Sequence, residues 1–255
     1  MNNKEILEIA MRQSAIDSNC CMEDFSRNEN KVVLSVKNPK ARIYLNLPFF
    51  CDLTSYGNNI VASVSGELKK TVEGYIAKYP VAHCFETPNL HKLIEKLKPF
   101  NLNVCFMAEY FLPDMEALKP LSCQYEIRVM APEYFAEYYL PEWSNALCEK
   151  RKESDYLAVG AFDNGKLIGL AGGSADCDTM WQIGIDVLPE YRRQGIASSL
   201  TSRLAIEILE RGIVPFYCCA WSNVKSARNA IKSGFRPAWV QVTARENSFI
   251  AEMNR

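Results

Sequence analysis

The stretch from Trp181 to Gly212 constrains this chain more than any other. Ile183-Gly184-Ile185-Asp186-Val187-Leu188 is a largely apolar run of strand length, and Pro189 closes it because proline has no ladder donor. Tyr191-Arg192-Arg193-Gln194 makes a short basic loop. Ile196, Leu200, Leu204 and Ile208 then recur at four-residue spacing, which predicts a helix opening near Gly195. Gly212 stands where a helix C-terminal glycine belongs. The order is strand, basic glycine-containing turn, helix. The first turn of a helix leaves its N–H groups unpaired, and the helix dipole adds partial positive charge there. Gly195 has no side chain to obstruct a close approach and Ala197 has almost none, while Arg192 and Arg193 add formal charge. Such a turn can cradle a diphosphate. The same residues also suit an ordinary strand-to-helix turn with two solvated arginines.

The full run Val187-Leu188-Pro189-Glu190-Tyr191-Arg192-Arg193-Gln194-Gly195-Ile196-Ala197 resembles the acetyl-CoA signature of the GNAT superfamily of N-acetyltransferases. That pattern is Gln or Arg, two residues, Gly, one residue, then Gly or Ala. It follows a strand ending in Val-x-Pro and opens a long helix. A second block falls in register: a strand from Ile213 to Trp221, then Asn223-Val224-Lys225-Ser226-Ala227 and Lys232-Ser233-Gly234-Phe235. The resemblance covers roughly Tyr125 to Ala244, about half the chain. It implies an α/β (α+β) fold for that half, a mixed, mostly antiparallel sheet flanked by helices. A smaller mixed α/β domain precedes it, a layout similar to a two-domain bacterial GNAT subgroup.

The resemblance also implies an activity: transfer of an acetyl group from acetyl-CoA, as co-substrate, to a primary amine of a small-molecule acceptor, without a metal. Carried over by position, Asp186, Val187 and Leu188 run beside the pantetheine arm. Arg192, Arg193, Gln194, Gly195, Ile196 and Ala197 hold the diphosphate, and Asn223 and Ser226 line the coenzyme. Asn223 equally suits a helix N-cap. The family often places its general base on the strand before the loop, where Asp186 stands, with Asp176 and Asp178 at the strand's start. A solvated aspartate at a sheet end fits each of these as well. One departure matters. Many members carry a tyrosine four residues before the glycine of the Gly-Phe pair, as proton donor to the thiolate, and here that residue is Ala230. Either another group supplies the proton, or the protein is a non-catalytic acyl-CoA-binding or regulatory module. A coenzyme A thiol is already a fair leaving group, and positioning alone contributes several kcal/mol.

The 255 residues, 48% apolar, suit one or two domains, and a net charge of −1 gives no reason to expect a nucleic-acid partner. Met1-Asn2-Asn3-Lys4-Glu5 lacks a signal-peptide core, and no apolar run reaches the roughly 18 residues of a membrane helix. Ten scattered cysteines without Cys-x-x-Cys fit free thiols in a reducing cytoplasm. The pattern leaves a homodimer open.

Along the chain, residues 4–14 form a predicted helix, 32–36, 42–47 and 60–64 predicted strands, and 66–78 a second helix. Thr87-Pro88 predicts a helix start, with Thr87 as N-cap, and 103–107 a strand. His83 and His91 offer a ligand or a base, and equally suit ordinary surface or packing histidines. The proline- and charge-rich segment 112–120 is a predicted linker, dividing an N-terminal domain (1–118) from a GNAT domain (119–255). The N-terminal domain is expected to complete or cover the acceptor pocket. Strands at 125–130, 156–162 and 166–172 follow, the last two joined by Asp163-Asn164-Gly165, a type I′ hairpin signal. Pro132 and Pro141 start helices. Their wall carries Glu142, Trp143, Glu149, Glu153 and Asp155, which suit a cationic amine or a solvated helix face.

Overall fold

A computed structural model describes all 255 residues. In chain order the elements are α1 (Asn3–Ser18), β1 (Lys31–Leu34), β2 (Cys51–Ser55), β3 (Val61–Val64), α2 (Lys69–Ile76), α3 (Thr87–Leu97) and β4 (Leu102–Pro113). Then come β5 (Glu126–Met130), the single turn α4 (Pro132–Phe135), β6 (Asp155–Asp163), β7 (Lys166–Ser174) and β8 (Met180–Val187). The chain ends with α5 (Ile196–Glu210), β9 (Val214–Ala220), α6 (Val224–Lys232), β10 (Phe235–Glu246) and α7 (Asn247–Met253). The fold is mixed α/β and mostly antiparallel; only the β1·β3 and β8·β9 pairs are parallel among the registers resolved.

Two compact units result: Met1–Ala10 with Phe111–Pro237, and Met11–Tyr110 with Ala238–Arg255.

In the Met11–Tyr110 unit the strand order is β1-β3-β2-β10-β4. One face packs Leu53, Ala62 and Val64 against Val72, Tyr75 and Ile76 of α2 and Leu90, Leu93 and Leu97 of α3. The opposite face meets α1 through Ser63 Oγ, which donates to Ser18 O at 3.0 Å, and the Ser14–Tyr56 hydroxyl pair at 2.8 Å. This face is polar. Asp52 is 1% exposed, and its carboxylate accepts from Gln241 Nε2 (2.8 Å), Thr243 Oγ1 (2.6 Å) and Thr54 Oγ1 (3.0 Å).

Three local expectations differ from this structure. Residues 42–47 are not a strand: Ile43–Leu45 is a 3₁₀ turn, and Asn46 adopts a left-handed conformation at φ 56°. Arg42 is buried, and its N and Nε both donate to Asp17 of α1, at 2.9 and 2.5 Å, so this backbone is committed to α1 and not to a ladder. The strand lies instead at β2, whose five residues are all buried and therefore show no alternation. β4 also runs into the expected linker, because Phe111 and Leu112 are core residues. In α3 the cap position is Glu86, one residue before Thr87.

In the unit built on Phe111–Pro237 the order is β9-β8-β7-β6-β5. β6 and β7 are joined by Asn164 (φ 48°) and Gly165 (φ 86°), the two positive values a type I′ turn needs. One face of the sheet packs on α5 through Ile196, Leu200, Leu204 and Ile208. Gly169 makes that approach possible, since a Cβ there would lie 2.9 Å from Ile196 Cγ2 and 3.1 Å from Leu200 Cδ1. The other face packs Ala158 and Leu170 against Phe135, Trp143, Ala146 and Leu147. Pro132 and Pro141 each start only one short turn.

Candidate acyl-CoA cleft

The pairing of β8 with β9 ends at Ile183↔Tyr217. β8 continues through Gly184–Val187, still paired with β7 on its other side, while β9 continues through Cys218–Ala220 without pairing to β8. Two parallel strands that part in this way leave main-chain groups of Gly184–Val187 facing the gap. The gap opens into a cleft of about 980 Å³.

The turn after β8 forms one end of that cleft. Gly195, at φ 84°, precedes α5, and no side chain caps the helix. The N–H groups of its first turn are thus left to whatever enters the cleft. A Cβ on Gly195 would meet nothing nearer than Lys232 Nζ at 3.9 Å, so open space with an ammonium beside it lies over the glycine. Five cationic side chains line the cleft, Arg192, Arg193, Lys225, Arg228 and Lys232, against one carboxylate, Asp186. The last three stand on α6, and their position beside the cradle becomes visible only once α6 is placed.

The loop that carries the cradle is strapped in place. Arg192 Nε donates to Val187 O at 2.9 Å, Tyr191 Oη donates to Asp163 Oδ2 at 3.0 Å, and Lys166 pairs with Glu190 at 3.3 Å. Gln194 Oε1 accepts from Gln124 Nε2 (2.7 Å) and Tyr125 Oη (2.8 Å).

Most of the expected site residues come together here. Asp186, Val187, Arg192, Arg193, Gly195, Ile196, Ala197, Asn223 and Ser226 all line the cleft. Gln194 and Leu188 do not. The side chain of Gln194 is held by Gln124 and Tyr125, and Leu188 packs into the cluster of Trp143 and Leu170 on the other face of the sheet. Asn223 caps α6, its Oδ1 accepting from Ser226 N at 3.2 Å, and borders the cleft at once, so its two readings coincide.

Asp186 is fully engaged. Its Oδ2 accepts from Asn145 N (2.8 Å) and Ala146 N (3.0 Å), and its Oδ1 from Asn145 Nδ2 (2.7 Å). Two successive peptide groups of the Asn145–Ala146 segment lie over two glycines: a Cβ on Gly184 would sit 1.8 Å from Asn145 O, and one on Gly172 1.9 Å from Ala146 O. None of Glu142, Trp143, Glu149, Glu153 or Asp155 borders the cleft; Asn145 does. Trp143 is core, and Asp155 is buried at the start of β6, accepting from Cys148 N (2.9 Å) and Tyr139 Oη (3.1 Å). Burial pushes the Asp155 carboxyl up. Asp176 pairs with Arg151 at 2.6 Å.

Two residues missing from the sequence reading stand at the fork itself. Tyr217 ends the β8·β9 pairing, and its hydroxyl lies 2.7 Å from Ser226 Oγ. Cys218 Sγ accepts from Gln182 Nε2 at 3.1 Å across the same gap. The aromatic and thiol residues of β9 carry no motif, so only the strand's register reveals them.

Residues 122–235 match the profile of the "Acetyltransferase (GNAT) family". No curated protein matches the chain. Among solved structures the chain is similar to a GNAT-family protein from Novosphingobium aromaticivorans (19% identity, 56% of this chain, 66% of that one, TM-score 0.43). It is similar also to a GCN5-related N-acetyltransferase-like protein from Streptococcus suis (19%, 61% and 67%, TM-score 0.44). A third is an aminoglycoside N-acetyltransferase solved in complex with CoA (20%, 48% and 93%, TM-score 0.37). The chain thus spans about two thirds of the length of the first two. No helix is long and apolar enough to cross a membrane. The signature at Val187–Ala197, the fork after Ile183 and the profile match coincide in one unit, and residues 122–235 are a domain of the acetyltransferase (GNAT) family.

Proposed function

We propose that this protein transfers an acetyl group from acetyl-CoA to a primary amine of a small-molecule acceptor, with the chemistry in the domain proposed at 119–255. One observation carries the reading: a helix start with no side-chain cap shares a cleft with five cationic side chains and with the edge of β8 that β9 leaves unpaired. The donor set fits the coenzyme end to end. The N–H groups of Ile196 and Ala197 with Arg192, Arg193 and Lys232 suit a diphosphate. The main chain of Gly184–Val187 suits the amide-bearing arm, and Asn223 and Ser226 border the same path. Acetyl-CoA supplies the activated thioester; this chain's residues orient it and limit the approach of the amine.

Asp186 was the expected base on the strand before the loop. With both oxygens occupied by three donors, we assign it a positioning role, holding Asn145–Ala146 over Gly184 as one wall of the acceptor side. Ten free cysteines suit a cytoplasmic setting.

Calorimetric titration with acetyl-CoA, wild type beside Gly195→Glu, tests the reading. A carboxylate there fills the open space and repels a diphosphate, so binding by the wild type and none by the variant is expected. A panel of primary amines should then release free thiol. A wild type that does not bind acetyl-CoA refutes the proposal. Ala230, fully buried and off the cleft, favours a second reading, an acyl-CoA-binding module without turnover. Tight binding with no thiol release for any amine would support it.

A further inference from the structure

We propose that Tyr217 is the proton donor to the departing thiolate and that Ser226 holds its hydroxyl for that task. This inference rests on the acetyl-transfer reading above. Position 230 cannot supply the proton: alanine has none to give, and Ala230 is buried in the cluster that contains Tyr217 and Phe235. Tyr217 comes from β9, and unlike Ala230 it borders the cleft. It is the last β9 residue paired with β8, so its side chain stands where the strands part and the cleft begins.

Its surroundings fit a donor. The ring is held edge-on to Phe111 (6.4 Å) and tilted against Phe235 (6.3 Å), which fixes the hydroxyl's direction. Burial pushes the phenol up, while Ser226 and Asn229 beside the oxygen work the other way, so the proton is retained at neutral pH. Ser226 is itself fixed, through its N–H to the Asn223 cap. Asn229 Nδ2 donates to Thr201 Oγ1 at 3.1 Å, tying α6 to α5. The other tyrosine bordering the cleft, Tyr191, has its hydroxyl turned to Asp163.

The step balances without any further reactant. With Ser226 O–H as the donor in its 2.7 Å contact with Tyr217 Oη, the phenol's own proton is free to face the cleft. The amine nitrogen bonds to the acetyl carbon, the C–S bond breaks, and its electron pair passes to sulfur. The Tyr217 proton goes to that sulfur, giving the free thiol. The phenolate, held by Ser226, recovers through solvent the proton that the attacking nitrogen sheds. Amine and thioester become amide and thiol.

The test uses the full chain with CoA and desulfo-CoA, in the wild type, Tyr217→Phe, Ser226→Ala and Ser226→Thr. Calorimetry first establishes binding; a wild type that binds neither overturns the acetyl-transfer reading and this inference with it. Thiolate absorbance, taken as the difference between CoA-loaded and desulfo-CoA-loaded protein, then follows the bound thiol through pH. A hydrogen bond from Tyr217 favours the thiolate, so Tyr217→Phe should raise the thiol's apparent pKa by about one unit, tenfold in its ionisation. Ser226→Ala should give part of that shift and Ser226→Thr none. With an accepting amine in hand, kcat of Tyr217→Phe should fall about a hundredfold at unchanged KM for acetyl-CoA. Bound CoA that titrates identically in wild type and Tyr217→Phe, or an unchanged kcat, overturns the assignment and leaves the acetyl-transfer reading standing.

Discussion

Replacing Gly184 by alanine tests whether the cleft wall is held as tightly as its geometry implies. The added Cβ would lie 1.8 Å from Asn145 O, 2.8 Å from Asn145 C and 3.2 Å from Ala146 Cα, all backbone atoms. Ordinary contact begins at 3.4 Å, so the peptide must retreat by about 1.6 Å. It cannot do so and keep its three bonds to Asp186, now 2.7 to 3.0 Å long. Overpacking of this kind costs ~1–3 kcal/mol. Hydrogen bonds to a charged group are worth ~1.5–3 kcal/mol each, less where water replaces the lost partner, as it can at partly exposed Asp186. A net loss of ~2–4 kcal/mol is the sum expected. Gly74→Ala is the control: it lies inside α2, its Cβ would meet nothing within 4 Å, and it should gain ~0.5–1 kcal/mol. Urea unfolding of both variants, with acetyl-CoA affinity measured in parallel, reads the result. Gly184→Ala should lose stability and bind acetyl-CoA more weakly. If it unfolds within ~0.5 kcal/mol of the wild type, the peptide is not held against β8 and the positioning role of Asp186 is wrong.

Asp186→Asn replaces one acceptor by a donor, and it should loosen the same wall while leaving the shape of the pH–rate profile unchanged; loss of the acidic limb, the rise in rate as a base loses its proton, would make Asp186 the base after all. Lys232→Ala should weaken acetyl-CoA binding about fivefold, ~1 kcal/mol for an exposed charge, and flatten its dependence on salt; an identical salt series would remove Lys232 from the cradle. Asp52 is held at about 6 by burial, above its ordinary range, against the bonds from Thr243, Gln241 and Thr54. The folded state therefore binds more protons than the unfolded one between about pH 4 and 6, so stability falls as pH rises through that window, by ~3 kcal/mol in all. Asp52→Asn should abolish that slope and gain ~1–3 kcal/mol at neutral pH, and a slope that survives in urea titrations at stepped pH would assign it to other groups.

The parts of this molecule legible in the sequence are those where a local rule meets its tertiary use without conflict. Asn164-Gly165 needs two positive φ values and has the two residues that accept them. The α5 stripe is buried along its whole length because nothing competes for that face. The proposed diphosphate cradle belongs to the same class, since a helix start that can recognise phosphate is built from consecutive residues and leaves its mark as a motif. Where a tertiary demand overrides the local one, the pattern misleads. Arg42-Ile43-Tyr44-Leu45 alternates as a strand would, yet Arg42 is drawn under α1 by Asp17 and Ser14, and the backbone turns to follow it. β2, buried on both faces, has no alternation to show.

The cleft's chemistry falls between these cases. Gln194 sits inside the motif, but its side chain serves the loop's own support. Asp186 occupies a plausible base position, and only the placement of Asn145, 41 residues away in sequence, shows that its oxygens are already committed. Tyr217 and Ser226 are nine residues apart and meet only because the chain turns back from β9 into α6. A spacing rule can record groups that act from one turn of backbone. It cannot record a proton donor assembled across a strand and a helix, because either residue is free to move in sequence provided the other wall of the fork moves with it. Under the proposed assignment Ala230 marks a relocation of the acid and not its loss, and the titration of bound CoA in Tyr217→Phe decides between the two.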